Sequence, residues 1–195
     1  MKMNPARTAY YNICFVFKSI RVFPLFVVLK VELLLGRKET KKWIEDTIYF
    51  NLGFFRLLYE RPEYISVLYK RLGLFGEVFE FLCGSYPCTW GTPSIGGGIY
   101  IDHPYSSTFH ANSIGKNFKT KHLVTIGNNR GGLPTIGDNV FIGCGAVVCG
   151  PIVIGNNVQI GANAVVMKDV PDNCVVVGNP AYIVRKDGEK VYIKL

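Results

Sequence analysis

The sequence predicts a mainly β protein, a solenoid of stacked three-sided coils that is preceded by an α-helical N-terminal domain. Three observations support this prediction: a six-residue repeat over residues 136–183, glycine and asparagine at its turn positions, and helical spacing of apolar residues before residue 75. A helix repeats every ~3.6 residues and a strand every ~2, so neither produces one apolar position in six. A short strand followed by a sharp corner does, and coils of this kind stack as a parallel β-helix.

The repeat is regular in both its apolar and its small positions. Its first position is nearly always aliphatic, starting with Ile136, Ile142, Val148, Ile154, Ile160 and Val166. The second position prefers Gly and the fourth Asn or Gly, which are the residues that best tolerate a positive φ at a corner. We expect the aliphatic side chains to fill the interior, where each buried side chain contributes about 1.5–3 kcal/mol. Because one coil cannot bury its own faces, several coils must stack.

The chain before the repeat reads as helical. Apolar residues at helical spacing predict helices within residues 1–35 and 41–61, and Ile65, Leu68 and Leu72 mark a third helix that ends near Gly73. The tail after Ile183 alternates polar and apolar residues, which indicates a closing strand or cap. The predicted boundaries are 1–75 for the helical domain, 76–94 for a connector, 95–183 for the β-helix and 184–195 for the tail.

The net charge of +8 is concentrated in the helical domain. Residues 1–75 carry 13 Lys and Arg against 6 Asp and Glu, and residues 76–195 carry 9 against 8. This basic, aromatic surface has two interpretations: a cap that packs on the solenoid and on neighbouring subunits, or a peripheral contact with an anionic membrane. The longest apolar run, Val22–Leu29, falls short of the ~20 residues that span a bilayer. The chain has no recognised nucleic-acid-binding motif.

The cysteines indicate the cellular compartment. Six cysteines occur without a CxxC pair, and we expect no signal peptide, so reduced thiols are predicted instead of disulfides or a zinc site. The expected location is therefore cytoplasmic, with the inner membrane surface as the alternative if the basic N-terminus contacts lipid.

The repeat is irregular in two places, both before residue 136. Ile95 and Ile114 are nineteen positions apart, so the first predicted coil carries one extra residue. Ile126 and Ile136 are ten positions apart instead of six, which predicts a loop containing residues 129–133. Because insertions into a solenoid usually gather on its binding face, we expect the functional site near these coils.

Several motifs in and before the repeat resemble those of one enzyme family. The segment GGGIYIDHP, the TIG steps, the GNPA turn and the short helical N-terminus look like the serine acetyltransferases, a family of hexapeptide-repeat acyltransferases. The resemblance covers roughly residues 50–185 and is best to short members associated with polysaccharide biosynthesis. It implies a left-handed β-helix, a homotrimer and a metal-free O-acetyltransferase that uses acetyl-CoA as co-substrate. The implied acceptor is L-serine, as in cysteine biosynthesis, or a sugar of a surface polysaccharide.

The resemblance also implies roles for individual residues. It assigns the general base to His103, whose imidazole suits proton removal near neutral pH, and acceptor binding to Asp102. The coenzyme A groove between subunits maps onto small residues of the coils and onto one cation: Gly127, Asn128, Gly143, Cys144, Gln159, Gly161, Ala162, Pro180, Ala181 and Arg185. The same small residues are also what tight corners require, so the two interpretations stay open.

Two positions depart from the serine acetyltransferase pattern. The family's second active-site histidine falls on Leu133 here, and the aspartate that orients the catalytic histidine falls on Cys88. Without these groups, recognition of the charged ends of serine is in doubt, whereas a neutral sugar hydroxyl needs them less.

The repeat register adds one further candidate. His122 occupies the third position of its six-residue unit. His103 occupies the same position one coil earlier. We therefore expect His122 to contact the acceptor or to support His103. His110 is expected to play no part.

Two other function classes are compatible with a solenoid. A γ-type carbonic anhydrase would need zinc, and the spacing of the three histidines does not match the paired pattern of that family. A non-catalytic scaffold is the other alternative, because the same fold carries purely structural roles.

Overall fold

The computed structural model describes residues 61–84 and 86–195, together with Leu58 and scattered positions between residues 23 and 42. Most of the helices predicted before residue 61, and the basic surface assigned to a membrane, lie outside the described residues. No helix within the described part is long and apolar enough to cross a bilayer.

Within residues 61–84, two helices precede the strands. Helix α1 spans Tyr64–Leu72 and α2 spans Leu74–Cys83, with Gly73 between them at a φ of 56°. The predicted third helix ending near Gly73 is confirmed as α1. Residues 76–94, the predicted connector, contain the rest of α2 up to Cys83 and a strand that begins at Cys88.

Sixteen strands follow within the described residues, arranged in three sheets. One sheet contains β1 (Cys88–Trp90), β4 (Ser107–Phe109), β7 (Thr125–Gly127), β10 (Val147–Cys149) and β13 (Val165–Val166). The second contains β2 (Ser94–Ile95), β5 (Ser113–Ile114), β8 (Thr135–Ile136) and β11 (Val153–Ile154). The third contains β3 (Tyr100–Ile101), β6 (Lys119–Thr120), β9 (Phe141–Ile142), β12 (Gln159–Ile160), β14 (Cys174–Val177), β15 (Tyr182–Lys186) and β16 (Glu189–Lys194).

Each coil strand pairs in parallel with its equivalent one coil away. Ile114 lies between Ile95 and Ile136 in the second sheet, and all three side chains are buried. The first position of the six-residue repeat therefore faces the interior, as predicted. The first coil starts earlier than Ile95, because Cys88 in β1 already pairs with Ser107 in β4.

The corners use the residues that tolerate positive φ. Asn117, Asn139, Asn157 and Asn173 all have φ between 55° and 57° and succeed one another on successive coils. Their side-chain amides form a continuous hydrogen-bonded ladder, with spacings of 2.9–3.0 Å. The ladder satisfies the amides at the same corners where the backbone turns.

Helix α1 closes the open end of the first coil. The Tyr64 hydroxyl donates to Ile99 O at 2.6 Å and accepts from Ile101 N at 3.1 Å. The Arg71 guanidinium donates to the carbonyl oxygens of Ile95 and Gly96. Backbone groups that have no strand beside them are thus satisfied by buried side chains, which fixes α1 against the coil.

The far end is closed by the tail. Strand β15 pairs antiparallel with β14, and β16 pairs antiparallel with β15. This reversal confirms the closing strand expected from the polar–apolar alternation of the tail. β15 begins at Tyr182, two residues before the predicted boundary at 184.

Candidate active site

His103 lies in the corner that joins β3 to β4. The corner runs from Asp102 to Ser106, and both His103 and Ser106 have a φ of 51°. Its backbone is held by hydrogen bonds from Tyr105 N to His103 O (2.7 Å) and from Ser106 N to Pro87 O (2.9 Å). Positive φ is uncommon for a residue with a side chain and is here the conformation of a solenoid corner. The His103 side chain is 65% exposed, so its imidazole is accessible to a substrate.

This corner is two residues longer than the one stacked on it. Leu123 N donates to Tyr105 O, so Leu123 stacks on Ser106. Leu123 comes three positions after Thr120 at the end of β6, whereas Ser106 comes five positions after the end of β3. The next corner of the same coil is one residue shorter than in the regular repeat. The coil therefore has one residue more than eighteen, which is the excess that the sequence shows. The irregularity predicted for the first coil is thus located at His103.

His122 has a different position from the one that simple counting suggests. The offset of nineteen residues between β3 and β6 would stack His122 on His103. At the corner this offset no longer holds: His122 directly precedes Leu123 and therefore stacks on Tyr105. Its side chain is exposed. A close approach of the two imidazoles stays a prediction.

Asp102 has the strongest charge contacts of the corner. Its Oδ2 accepts a hydrogen bond from Lys121 Nζ at 2.9 Å, and its Oδ1 accepts one from Arg61 Nη1 at 3.2 Å. The His103 Nε2 lies 3.6 Å from Oδ1, too far for a hydrogen bond but close enough for Coulomb attraction. The hydrogen bond from Lys121 outweighs partial burial and lowers the pKa of Asp102. The carboxylate is therefore ionised at neutral pH.

Sequence reasoning missed both cations that contact Asp102. Lys121 had a signal, because it lies in the second coil at the same offset that pairs Thr120 with Ile101. Arg61 had none, since it precedes α1 and comes next to Asp102 only through the packing of α1 on the first coil. Arg61 Nη1 also lies 3.5 Å from the Oε1 of Glu63, a carboxylate that is only 2% exposed.

Two tyrosines, Tyr86 and Tyr105, lie together at this corner. The rings of Tyr86 and Tyr105 have centroids 5.4 Å apart, and Tyr105 is 52% exposed. Burial, together with the hydrogen bond to Tyr105, raises the pKa of the Tyr86 hydroxyl. An aromatic face thus lies two residues from the candidate base.

The two departures from the serine acetyltransferase pattern have partners of their own. The Cys88 Sγ lies 3.3 Å from the Oγ of Ser66 in α1, and burial raises the pKa of this thiol. Leu133 is half-buried, and its carbonyl accepts a hydrogen bond from Asn112 Nδ2 at 2.9 Å. Neither side chain provides a charged partner for His103.

Four of the residues predicted to contact coenzyme A share one column of corners with His122. They are Gly143, Cys144, Gly161 and Ala162. The column is fixed by hydrogen bonds from Gly145 N to His122 O (3.1 Å) and from Asn163 N to Cys144 O (2.9 Å). Stacking alone requires glycine at 143, because a Cβ there would lie 2.7 Å from Ala162 N.

The other predicted coenzyme residues lie in three further places. Gln159 and Arg185 both pair with Val175 in the third sheet. Pro180 and Ala181 lie between β14 and β15. Gly127 and Asn128 lie at the end of β7, whereas the corner that contains His122 precedes the start of β7. A Cβ at Gly127 would meet only Cys149 Sγ, at 4.0 Å, so packing does not require glycine there.

The described residues contain no group of three or more His, Cys, Asp or Glu side chains that could hold a metal ion. His110 is exposed and lies against Gly91, where a Cβ would come within 2.7 Å of its ring.

Comparison with known proteins agrees with this architecture. Residues 134–168 match the family described as bacterial transferase hexapeptide (six repeats). The chain is 44% identical over 95 residues to a serine acetyltransferase of Mycobacterium tuberculosis, covering 46% of this chain and 42% of that protein. It is 44% identical over 102 residues to a serine acetyltransferase of Staphylococcus aureus, covering 50% and 48%. The matched region therefore spans less than half the length of these relatives.

Solved structures give the same picture. The serine acetyltransferase of Neisseria gonorrhoeae in complex with serine has a TM-score of 0.61 and 28% identity, covering 78% of this chain and 72% of that one. The soybean serine acetyltransferase apoenzyme has a TM-score of 0.63 and 24% identity, covering 80% and 73%. The predicted left-handed parallel β-helix with N-terminal helices is thereby confirmed. The chain carries hexapeptide repeats of the bacterial transferase type, and the proteins it is similar to are serine acetyltransferases.

Proposed function

We propose that this hexapeptide-repeat chain, similar to serine acetyltransferases over its coils, is an acetyl-CoA-dependent O-acetyltransferase with His103 as general base. One observation supports this most: an exposed imidazole in a lengthened corner, 3.6 Å from an ionised carboxylate, beside a column of small residues. The relatives named above support the reaction class.

Each residue of the corner has a defined task in this reaction. Acetyl-CoA supplies the activated acyl group. The neutral imidazole of His103 takes the proton from the acceptor hydroxyl as the oxygen attacks the acyl carbon, and the imidazolium that forms is stabilised by the Asp102 carboxylate. The proton held on His103 is then available to the thiol that leaves. Backbone N–H groups of the coil turns are proposed to stabilise the oxyanion.

His122 supports this chemistry in a secondary way. It stacks on Tyr105 and stands next to Lys121, which binds Asp102. From there it contacts the acceptor or the residues that hold His103.

The coenzyme lies along the corner column and the third sheet. Gly143, Cys144, Gly161 and Ala162 offer a surface without long side chains, and the exposed Arg185 provides a charge for the nucleotide phosphates. Gln159 lies in the same sheet, and Pro180 and Ala181, of which Ala181 is buried, are proposed as contacts near the tail. Gly127 and Asn128 are proposed as contacts from the loop edge.

The acceptor is L-serine or a sugar hydroxyl of a surface polysaccharide. The relatives are named for serine, and the Neisseria structure was solved with it. Leu133 and Cys88 favour the sugar, because neither places a charged group near His103. The first acceptor belongs to cysteine biosynthesis and the second to polysaccharide biosynthesis.

We also propose a cytoplasmic homotrimer. The fold's family likeness supports the trimer, and the free thiols at residues 88, 144, 149 and 174 support a reducing compartment. Nothing in the described residues supports the membrane contact predicted for the basic N-terminus.

A free-thiol assay tests the proposal. The full chain is mixed with acetyl-CoA and with serine, homoserine or a panel of sugars, and coenzyme A release is followed. His103→Ala should lower kcat at least about 100-fold, whereas His110→Ala should leave it unchanged. His122→Ala should lower kcat/KM by an intermediate factor.

Three results would contradict parts of this proposal. No thiol release with any acceptor favours a scaffold, full activity of His103→Ala removes the base, and unchanged kcat/KM of His122→Ala removes the supporting role. Bound zinc in the purified protein would favour the carbonic anhydrase alternative.

A further inference from the structure

The carboxylate beside His103, Asp102, is already paired with cations of the chain itself, and so is the neighbouring Glu63. Lys121 Nζ donates a hydrogen bond to one oxygen of Asp102 at 2.9 Å, and Arg61 Nη1 donates one to the other oxygen at 3.2 Å. Arg61 in addition lies 3.5 Å from Glu63, whose side chain is 2% exposed and thus inaccessible to a substrate. Each of the two carboxylates is therefore in contact with at least one cation.

An acceptor with an ammonium group next to its hydroxyl would need one of these carboxylates. Each oxygen of Asp102 already binds one cation, so an ammonium group that reached Asp102 would lie close to Lys121 or Arg61, or would have to displace one of them. Like charges at such distances repel, and a partly buried charge left without its partner is unfavourable. The corner thus discriminates against ammonium groups by repulsion as well as by a lack of partners.

The groups that are exposed at the corner suit a different acceptor. The Lys121 side chain is 43% exposed and that of Tyr105 is 52% exposed. An ammonium donor binds hydroxyl and carboxylate oxygens, and a tyrosine ring packs against the C–H face of a sugar.

From these contacts we infer that the acceptor is a hydroxyl compound without an ammonium group, a sugar or a hydroxy acid, and that Lys121 determines this specificity. The inference rests on the proposed acetyltransferase function and names the substrate class of the same site. Lys121 acts in two ways: it occupies Asp102, and it presents a cation to the acceptor.

Matched pairs of acceptors test the inference. The full chain is assayed for thiol release from acetyl-CoA with L-serine against glycerate, and with glucosamine against glucose, because the members of each pair differ in the ammonium group. The ammonium-free member should have at least about tenfold higher kcat/KM in the pair that is turned over. Lys121→Met should narrow that ratio, because Asp102 Oδ2 becomes available to the ammonium group.

Lys116→Met is the matched control, since Lys116 is an exposed lysine on a different corner. It should leave the ratio within each pair unchanged, and a general loss of folding would lower both members of a pair alike. A ratio that favours the ammonium member, or one that Lys121→Met does not change, overturns the inference.

Absence of thiol release with all four acceptors would instead count against the proposed function. In that case the thermal shift of the protein with each compound decides the inference. A larger rise in Tm with glycerate or glucose than with its ammonium partner supports it, and the reverse order or equal shifts overturn it.

Discussion

The Lys121 ammonium group lies 2.9 Å from the Asp102 carboxylate, although the two residues are 19 positions apart in the chain. They belong to successive coils, and the stacking of the coils brings them to the same corner. A residue in the second coil thus lowers the pKa of a residue in the first. The candidate site is formed by two stacked coils and by the turn before α1, and no single motif contains all of it.

The first prediction concerns acid stability. The pKa of Asp102 is lowered in the folded protein, chiefly by the hydrogen bond from Lys121, whereas the unfolded chain has the ordinary value of about 3.9. Ionised Asp102 therefore stabilises the fold above about pH 4, and this contribution is lost as the pH falls towards the lower folded-state pKa. Asp102→Asn removes the contribution at every pH. The Tm difference between wild type and variant should therefore shrink from about pH 6 to about pH 3, as measured by circular dichroism.

Glu77→Gln serves as the control for this prediction, because Glu77 is an exposed carboxylate on α2. Its Tm difference from wild type should change less between the two pH values. A constant Tm difference for Asp102→Asn would show that the contacts of Asp102 with Lys121 and Arg61 do not contribute to stability.

The second prediction separates packing from coenzyme binding at two glycines. An added Cβ at Gly143 would lie 2.7 Å from Ala162 N, so Gly143→Ala should destabilise the protein by about 1–3 kcal/mol. An added Cβ at Gly127 would meet only Cys149 Sγ, at 4.0 Å, so Gly127→Ala should fold normally. If Gly127 contacts the pantetheine chain, its variant should raise the KM for acetyl-CoA without a change in Tm. Urea denaturation and steady-state kinetics measure the two effects.

An unchanged KM for Gly127→Ala would remove that residue from the proposed groove. A Gly143→Ala variant as stable as wild type would show that the neighbouring coil shifts to accept the methyl group.

Much of the fold was predictable from the sequence because the repeat is a local pattern. An aliphatic residue such as Ile142 at every sixth position has only one arrangement that buries all of its equivalents, and the structure buries them. An irregularity in the first coil was also predictable from the spacing of Ile95 and Ile114, but its location at the His103 corner was not, because the next corner is one residue shorter. Helix α2 was missed because its apolar residues do not belong to a repeating pattern in the sequence. One of them, Phe81, is exposed in the structure. Arg61 was missed because its contact with Asp102 is a tertiary one.

The third prediction concerns how α1 is fixed to the first coil. The buried Tyr64 hydroxyl bridges Ile99 O and Ile101 N. Tyr64→Phe removes the hydroxyl and leaves both backbone groups without that partner in a buried place. The free energy of unfolding in urea should fall by about 1–3 kcal/mol. Tyr192→Phe is the control, because Tyr192 is 75% exposed, and its effect should be smaller. Equal effects of the two substitutions would show that water replaces the Tyr64 hydroxyl.

The last prediction concerns the asparagine ladder. Asn157 Nδ2 donates to Asn173 Oδ1 at 2.9 Å, and Asn157 Oδ1 accepts from Asn139 Nδ2 at 3.0 Å. Asn157 also has a φ of 57°, which glycine adopts freely and alanine does not. Asn157→Gly therefore removes two hydrogen bonds but keeps the turn, whereas Asn157→Ala also strains it by about 1–2 kcal/mol. We expect the unfolding free energy to fall in the order wild type, glycine, alanine in urea titrations, with Asn128→Ala close to wild type. If the glycine variant has the same unfolding free energy as wild type while that of the alanine variant is lower, the ladder does not contribute to stability. The corner conformation alone then selects asparagine.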